Sequence, residues 1–179
     1  LGAIVSNTGI LYNINPATEP EWTSEVDSNG GTGRALSEGL MIRLVDRIRG
    51  RGGKTSAILT DDGSFRAYWA LLSQLRGFQN TTKFEGGYTG LSFHVGDSEI
   101  PVVSDFDAPL GTMHFLNESD ITYYRDEDIH WLDRDGSILK QRVDAAGRYD
   151  IWEATMVERH ELGIGRRNTH GKITDIIAG

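Results

Sequence analysis

The chain contains no cysteine among its 179 residues. Disulfides and thiolate metal sites are therefore excluded, and small disulfide-stapled secreted folds with them; the absence fits assembly in a reducing compartment. Basic residues are also scarce: 18 Lys and Arg stand against 26 Asp and Glu, giving a net charge of −8 and an isoelectric point near 5.1. Such a balance argues against tight DNA binding, which needs cations to neutralise phosphates. No apolar run approaches the ~20 residues required to span a bilayer, so a protein soluble in water is expected. No charged, apolar, small-residue leader pattern opens the sequence. The first residue is Leu1, and Leu1-Gly-Ala-Ile-Val5 reads as the continuation of a longer chain. What is present, 38% hydrophobic and 25% charged residues, describes a globular domain large enough to bury a core.

Residues 1–33 read as irregular, broken by Pro16, Pro20 and Ser28-Asn-Gly-Gly-Thr-Gly33, with Trp22 expected to dock on the body of the domain. Leu36, Leu40, Leu44 and Ile48, flanked by Met41 and Val45, predict a helix over 35–49 with one apolar stripe, stopped by Gly50, Gly52 and Gly53. Thr55–Thr60 is a buried-strand run. Asp61-Asp-Gly-Ser64 offers N-caps to a helix over 65–76 that ends at Gly77. Strands are expected at 91–95, 100–104 and 112–116, with Pro101 at an edge or at the lead-in of its strand. A helical turn at 117–120 is expected to carry Tyr123 and Tyr124. Asp135-Gly136 predicts a tight hairpin between 131–132 and 137–139. Residues 149–161 read as one long strand and 168–177 as the last. The class is α+β, two helices on a mixed sheet followed by a second β element.

Motifs that would carry chemistry fail on spacing. Gly53-Lys54-Thr55 suggests a phosphate loop, but Ile48 stands where its first glycine belongs, and a helix precedes it in place of a strand. Gly31-Thr-Gly33 lacks the third glycine of a dinucleotide fingerprint, where Leu36 stands. Asp133-Arg-Asp-Gly136 would put Trp131 and Arg142 at calcium-ligand positions. His160-Glu161 lacks the second histidine of a zinc protease motif, and no Gly-x-Ser-x-Gly elbow occurs. No cofactor site is assigned. Arg125-Asp-Glu-Asp-Ile-His130 gathers carboxylates beside a histidine, which suits a solvated acidic loop and also leaves a metal site open. Basic residues gather at Arg34, Arg43, Arg47, Arg49, Arg51 and Lys54, and again at Arg159, Arg166, Arg167 and Lys172. They read equally as solvated faces or as subunit contacts pairing with carboxylates of a neighbouring copy.

An ordered series of features resembles the major capsid proteins of tailed bacteriophages, with the Hong Kong ninety-seven fold. It runs from Gly9-Ile-Leu11 through the helix 35–49, the strand Ala57-Ile-Leu59 and Trp69-Ala-Leu-Leu-Ser-Gln-Leu-Arg-Gly77. It continues with Glu99-Ile-Pro-Val-Val103, Gly111-Thr-Met-His-Phe-Leu116 and Arg166-Arg-Asn-Thr-His-Gly-Lys-Ile-Thr-Asp-Ile176. The resemblance implies residues 1–8 as the end of a preceding element and 9–145 as the A domain, a mixed sheet with flanking helices pointing at a capsomer centre. It implies 146–179 as returning P-domain strands, the family's spine helix and E-loop lying outside this chain.

The implied function is structural and not enzymatic: self-assembly into pentamers and hexamers that form an icosahedral head around phage DNA, in a virion built in the bacterial cytoplasm. Implied partners are copies of the chain, with scaffold, portal or decoration proteins, weak non-specific contact with packaged DNA, and no membrane. Candidate interface residues are Arg43, Arg47, Arg51, Lys83, Glu85, Tyr88, Arg166 and Arg167, the loop 80–90 being a tip contact by its glycines and its family position. Two alternatives stand beside this. One is the shell of a bacterial nanocompartment, an encapsulin, which shares the architecture and encloses cargo. The other is a small α+β enzyme or metal-binding domain using His130 with Asp126, Glu127 or Asp128, which predicts a concave pocket there.

Overall fold

A computed structural model describes residues 2–74, 81–83, 89–96, 98–133, 135–144 and 147–179. The chain forms two compact units: Leu1–Asp120 with Ile164–Gly179, and Ile121–Gly163 between them.

The first unit is built on a seven-stranded sheet. Its elements run β1 (Glu25–Asp27), α1 (Glu38–Gly50), β2 (Ala57–Thr60), α2 (Asp62–Gln74), β3 (Thr81–Lys83), β4 (Thr89–Val95), β5 (Ser98–Ser104) and β6 (Met113–Leu116). The second unit holds β7 (Ile121–Trp131), β8 (Lys140–Asp144), β9 (Gly147–Glu153) and most of β10 (Met156–Ile164); β11 (Gly171–Ile173) returns to the first sheet. Strand order is β1-β11-β6-β2-β5-β4-β3, with β1 parallel to β11, β2 parallel to β5, and the other pairs antiparallel.

The apolar spacing of α1 does what its sequence expects. Met41, Leu44, Val45 and Ile48 are buried, and Ser37 caps the helix by accepting from the Leu40 N–H at 3.4 Å. Asp61 caps α2, its Oδ2 accepting from the Gly63 and Ser64 N–H groups at 2.9 and 3.1 Å. Both helices feed one cluster with Ile58, Val102, Phe115 and Ile173. Ile58 lies opposite Val102 and Phe115, so these belong to one face of the sheet, and both helices cover that face. Passing from β1 to β2 and from β2 to β5 moves the same way across the sheet, and right-handed crossovers then place both helices on the same side. Among the described residues no helix covers the other face. Leu59, Val103, Val26 and Lys172 are half-buried there, and His114, opposite Leu59 and Lys172, is buried.

Several boundaries differ from the sequence expectation. β1 lies in the stretch read as irregular. Pro101 is in neither edge strand; β5 is internal, and Pro101 stands one residue ahead of its register with β2, which opens at Val102, so the missing N–H costs no bond there. A single turn at Glu118–Asp120 forms as expected, but Tyr123 and Tyr124 belong to β7. Asp135 and Gly136 both take positive φ, 61° and 79°, as a tight turn requires, yet the strands around them pair elsewhere: β7 with β10 and β8 with β9. The long strand expected at 149–161 is two, broken at Ala154-Thr155. The last strand, expected over 168–177, is confined to residues 171–173 in the seven-stranded sheet, and Arg167–Thr169 is a single helical turn. Gly77 and the 84–88 part of the loop 80–90 lie outside the described residues.

The second unit consists of two two-stranded ribbons, β10-β7 and β8-β9. Gly163 is the one buried residue among those whose side-chain environment is described. Tyr123, Tyr124, Ile129, Trp131, Ile138, Leu139, Ile151, Trp152, Met156 and Leu162 are all exposed.

Candidate assembly surfaces

The basic residues of α1 divide by what they touch. Arg47 pairs with Glu25 at 2.6 Å and Asp27 at 3.5 Å, Arg51 with Glu25 at 2.5 Å, and Arg34 with Asp27 at 2.6 Å. Strand β1, with acids at its first and third positions, therefore fastens the C-terminal half of α1 to the sheet. Arg47 and Arg51 were candidates for contacts with a neighbouring copy; their carboxylate partners are in their own chain. Arg43 is exposed and makes no ion pair among the described residues.

Arg166 and Arg167 separate in the same way. Arg166 is exposed and donates from Nε to Asp120 Oδ1 at 3.1 Å. Asp120 also accepts from Asn117 Nδ2 at 2.6 Å and Thr169 Oγ1 at 2.7 Å. Burial pushes the Asp120 carboxyl up, but these bonds outweigh it and hold it below the usual carboxylate range. The cluster fixes the point where the chain leaves the first unit and returns to it. Arg167 is only 1% exposed. Its guanidinium donates to four backbone carbonyls: Ile4 from Nε at 3.0 Å, Gly9 from Nη1 at 3.1 Å, and Ala3 and Thr8 from Nη2 at 2.7 and 2.9 Å. It is an internal tie for residues 3–9, a correction to its reading as a surface contact; a planar fork of five donors matches a nest of carbonyls that no sequence spacing reveals. The backbone of Lys83 is in β3; its side chain, with Glu85 and Tyr88, lies outside the described residues.

The acidic stretch around His130 is a strand, not a loop. Along β7, Arg125 pairs with Asp128 at 2.5 Å, Glu127 with Arg159 at 3.5 Å, and His130 Nδ1 lies 2.9 Å from the Asp128 carbonyl. Strand alternation sends neighbouring carboxylates to opposite faces. Among the described residues no three of His, Asp and Glu converge as metal ligands do. An open groove runs beside the strand, lined by Tyr124, Arg125, Asp126, Arg159, His160 and Glu161, and His130 is outside it.

Two features that sequence reasoning missed stand out. The first is the loop between β5 and β6, where Phe106 is 91% and Leu110 88% exposed. Its signal, apolar residues set among Asp, Pro and Gly, is easily read as an ordinary turn. The second is a pair of buried histidines. Neither ring nitrogen of His114 meets a partner among the described residues, and the His170 ring accepts only the Asn117 N–H, at 3.1 Å on Nδ1. Burial pushes each imidazole down to about 4; the Lys172 cation adds to this at His114, while Asp120 opposes it at His170.

The first unit is a sheet covered by helices on one face, and the second consists of ribbons with almost no interior among the described residues. Comparison with solved structures gives the architecture its class: the fold is that of phage major capsid proteins, the Hong Kong ninety-seven type. The chain is similar to the cyanophage A-1(L) capsid asymmetric unit, at 18% identity and a TM-score of 0.61, over 98% of this chain and 57% of that one. It is similar also to the holo-SrpI encapsulin complex from Synechococcus elongatus PCC 7942, at 12% identity and a TM-score of 0.56, over 94% of this chain and 56% of that one. The chain thus spans little more than half the length of either. No family model matches it. No curated protein sequence matches it. No described helix is long and apolar enough to cross a membrane.

Proposed function

We propose that this chain is the shell-building part of a phage major capsid protein, which assembles with copies of itself into the pentamers and hexamers of an icosahedral head around DNA. The observation that carries the reading is the combination of that fold with apolar surface left in solvent. Ten large apolar side chains of the second unit are exposed on ribbons that two strands alone do not stabilise in water. A subunit that buries them against neighbours needs no catalytic cleft, and the shell reading assigns the chain none. The first unit takes the part of the A domain, and the ribbons take part of the P domain. Scaffold, portal and decoration proteins belong to the same proposal, as does a virion location.

The encapsulin-like compartment remains the second reading, favoured by the similarity to an encapsulin over 94% of the chain. Sedimentation velocity of the complete gene product tests both. Particles of megadalton mass are expected, and the ratio of absorbance at 260 to 280 nm then separates a nucleic-acid-filled head from a protein-filled compartment. A discrete monomer or dimer across salt and concentration would remove both readings.

A further inference from the structure

Of the seven asparagines in the chain, one, Asn29, is followed by glycine. The others precede Thr8, Ile14, Pro16, Thr81, Glu118 and Thr169. The distinction is chemical. A backbone nitrogen can attack the side-chain amide of the residue before it and close an imide ring. A side chain on the attacking residue crowds that approach, most of all a β-branched one, and proline has no N–H to lose. Glycine puts nothing in the way.

The fold places this pair in an exposed turn. Residues 28–33 are all exposed. The Thr32 N–H donates to the Asn29 carbonyl at 3.3 Å, and Gly30 and Gly31 take φ of 67° and 82°. Those are the two left-handed positions of a type I′ turn. A Cβ built on either glycine would meet nothing within 4 Å, so no neighbour packs against the tip of the turn.

One carboxylate holds the turn to the body of the first unit. Asp175 Oδ2 accepts from Ser28 Oγ at 2.9 Å, from the Asn29 N–H at 2.7 Å and from the Gly31 N–H at 3.2 Å. The Asp175 carbonyl accepts the Arg34 N–H at 2.7 Å, and the Ile177 N–H donates to the Arg34 carbonyl at 2.9 Å. The clasp thus joins the connection between β1 and α1 to the last residues of the chain. The Ser28 hydroxyl and these N–H groups hold the Asp175 carboxyl below the usual carboxylate range, so it is charged at neutral pH. Asn29 closes the turn from within, its Nδ2 donating to the Thr32 carbonyl at 2.8 Å.

We propose that Asn29 is a modification site, at which spontaneous loss of ammonia opens the Asp175 clasp. Hydroxide removes the Gly30 amide proton, and the nitrogen bonds to Asn29 Cγ. The Cγ–Nδ2 bond breaks, and the side-chain nitrogen takes a proton from water and leaves as ammonia. Water then adds to either carbonyl of the imide, and the ring C–N bond breaks there. Opening at Cγ leaves aspartate. Opening at the backbone carbonyl leaves isoaspartate, with the chain continuing through the former side chain. In both products the donor to Thr32 is gone, and a new carboxylate stands in the turn beside that of Asp175. In isoaspartate the backbone between the two N–H groups that share Oδ2 is also longer by a carbon, so one oxygen no longer suits both.

The test ages the complete gene product in warm, slightly alkaline buffer. Peptide mapping by mass spectrometry, with separation of the isoaspartyl form, follows each asparagine. Asn29 should convert at least tenfold faster than any of the other six, and faster as the pH rises. Amide hydrogen exchange at residues 28–34 and 174–177 should then be at least tenfold quicker in the aged protein than in the fresh. Asn29→Gln, whose longer side chain closes the ring slowly, should show no change of exchange on the same ageing. Conversion of Asn29 no faster than the other asparagines would overturn the proposal. So would conversion that leaves exchange in both segments unchanged, or equal quickening in the Asn29→Gln variant.

Discussion

Replacing Arg167 by Met keeps the length and most of the volume of the side chain and removes every donor. Four carbonyls, of Ala3, Ile4, Thr8 and Gly9, then lose the group that holds them. A buried acceptor left without its donor costs about 1–3 kcal/mol. Water reaching this end of the unit recovers part of that, and relief from burying a cation recovers more, which burial already shows by lowering the Arg167 pKa. A net loss of roughly 3 kcal/mol is expected, which in a domain of this size lowers Tm by roughly 10 °C. Arg167→Lys should recover less than half, because three donors on one nitrogen cannot span four carbonyls set around a planar fork. The assay is guanidinium denaturation of wild type and both variants, with hydrogen exchange on residues 2–9 as a local readout. Exchange there should quicken in the Met variant beyond what the global loss explains. A Met variant within 1 kcal/mol of wild type, with residues 2–9 equally protected, would refute the claim that this arginine ties the segment down.

Two further perturbations follow from groups inside the first unit. His114 and His170 have folded pKa values of about 4 against 6.5 when unfolded. The unfolded state therefore takes up their protons first, and stability is full above pH 6.5 and falls as the pH drops toward 4. Each ring contributes about 2 kcal/mol of that loss between pH 7 and 5. Urea melts of wild type and a His114→Gln, His170→Gln double variant should show the slope flattening in the variant, and equal slopes would count against buried neutral rings. Asp61→Ala removes the cap of α2 and the Oδ1 that receives Gly111. It should cost roughly 2–3 kcal/mol, and a loss under 0.5 kcal/mol in thermal melts would contradict the part given to this carboxylate.

How much of this was legible in the sequence depends on the range of the interactions involved. α1 and β2 were readable because apolar spacing and glycine stops act over a few residues, and the Asp61 cap because it serves its own helix. The ordered series of short motifs was enough to read the fold, since each motif marks an element and their order marks the topology. The sequence did not reveal which arginines are free. Arg47 and Arg51 are taken by Glu25 and Asp27, from a three-residue strand too short to show a period. Arg167 is buried because carbonyls some 160 residues earlier surround it. The turn at Asp135-Gly136 was found, but a turn residue pair fixes local φ and not which strands pair across it. β10 was merged with β9 because two residues without proline or glycine, Ala154 and Thr155, carry no breaking signal.

The central claim is that this chain builds a closed shell from copies of itself. Negative-stain electron microscopy of the particles made by its complete gene tests that most directly. The account predicts closed icosahedral shells of uniform size, with ring-shaped capsomers in class averages. Monodisperse small particles with no shells, over a range of salt and protein concentration, would contradict it.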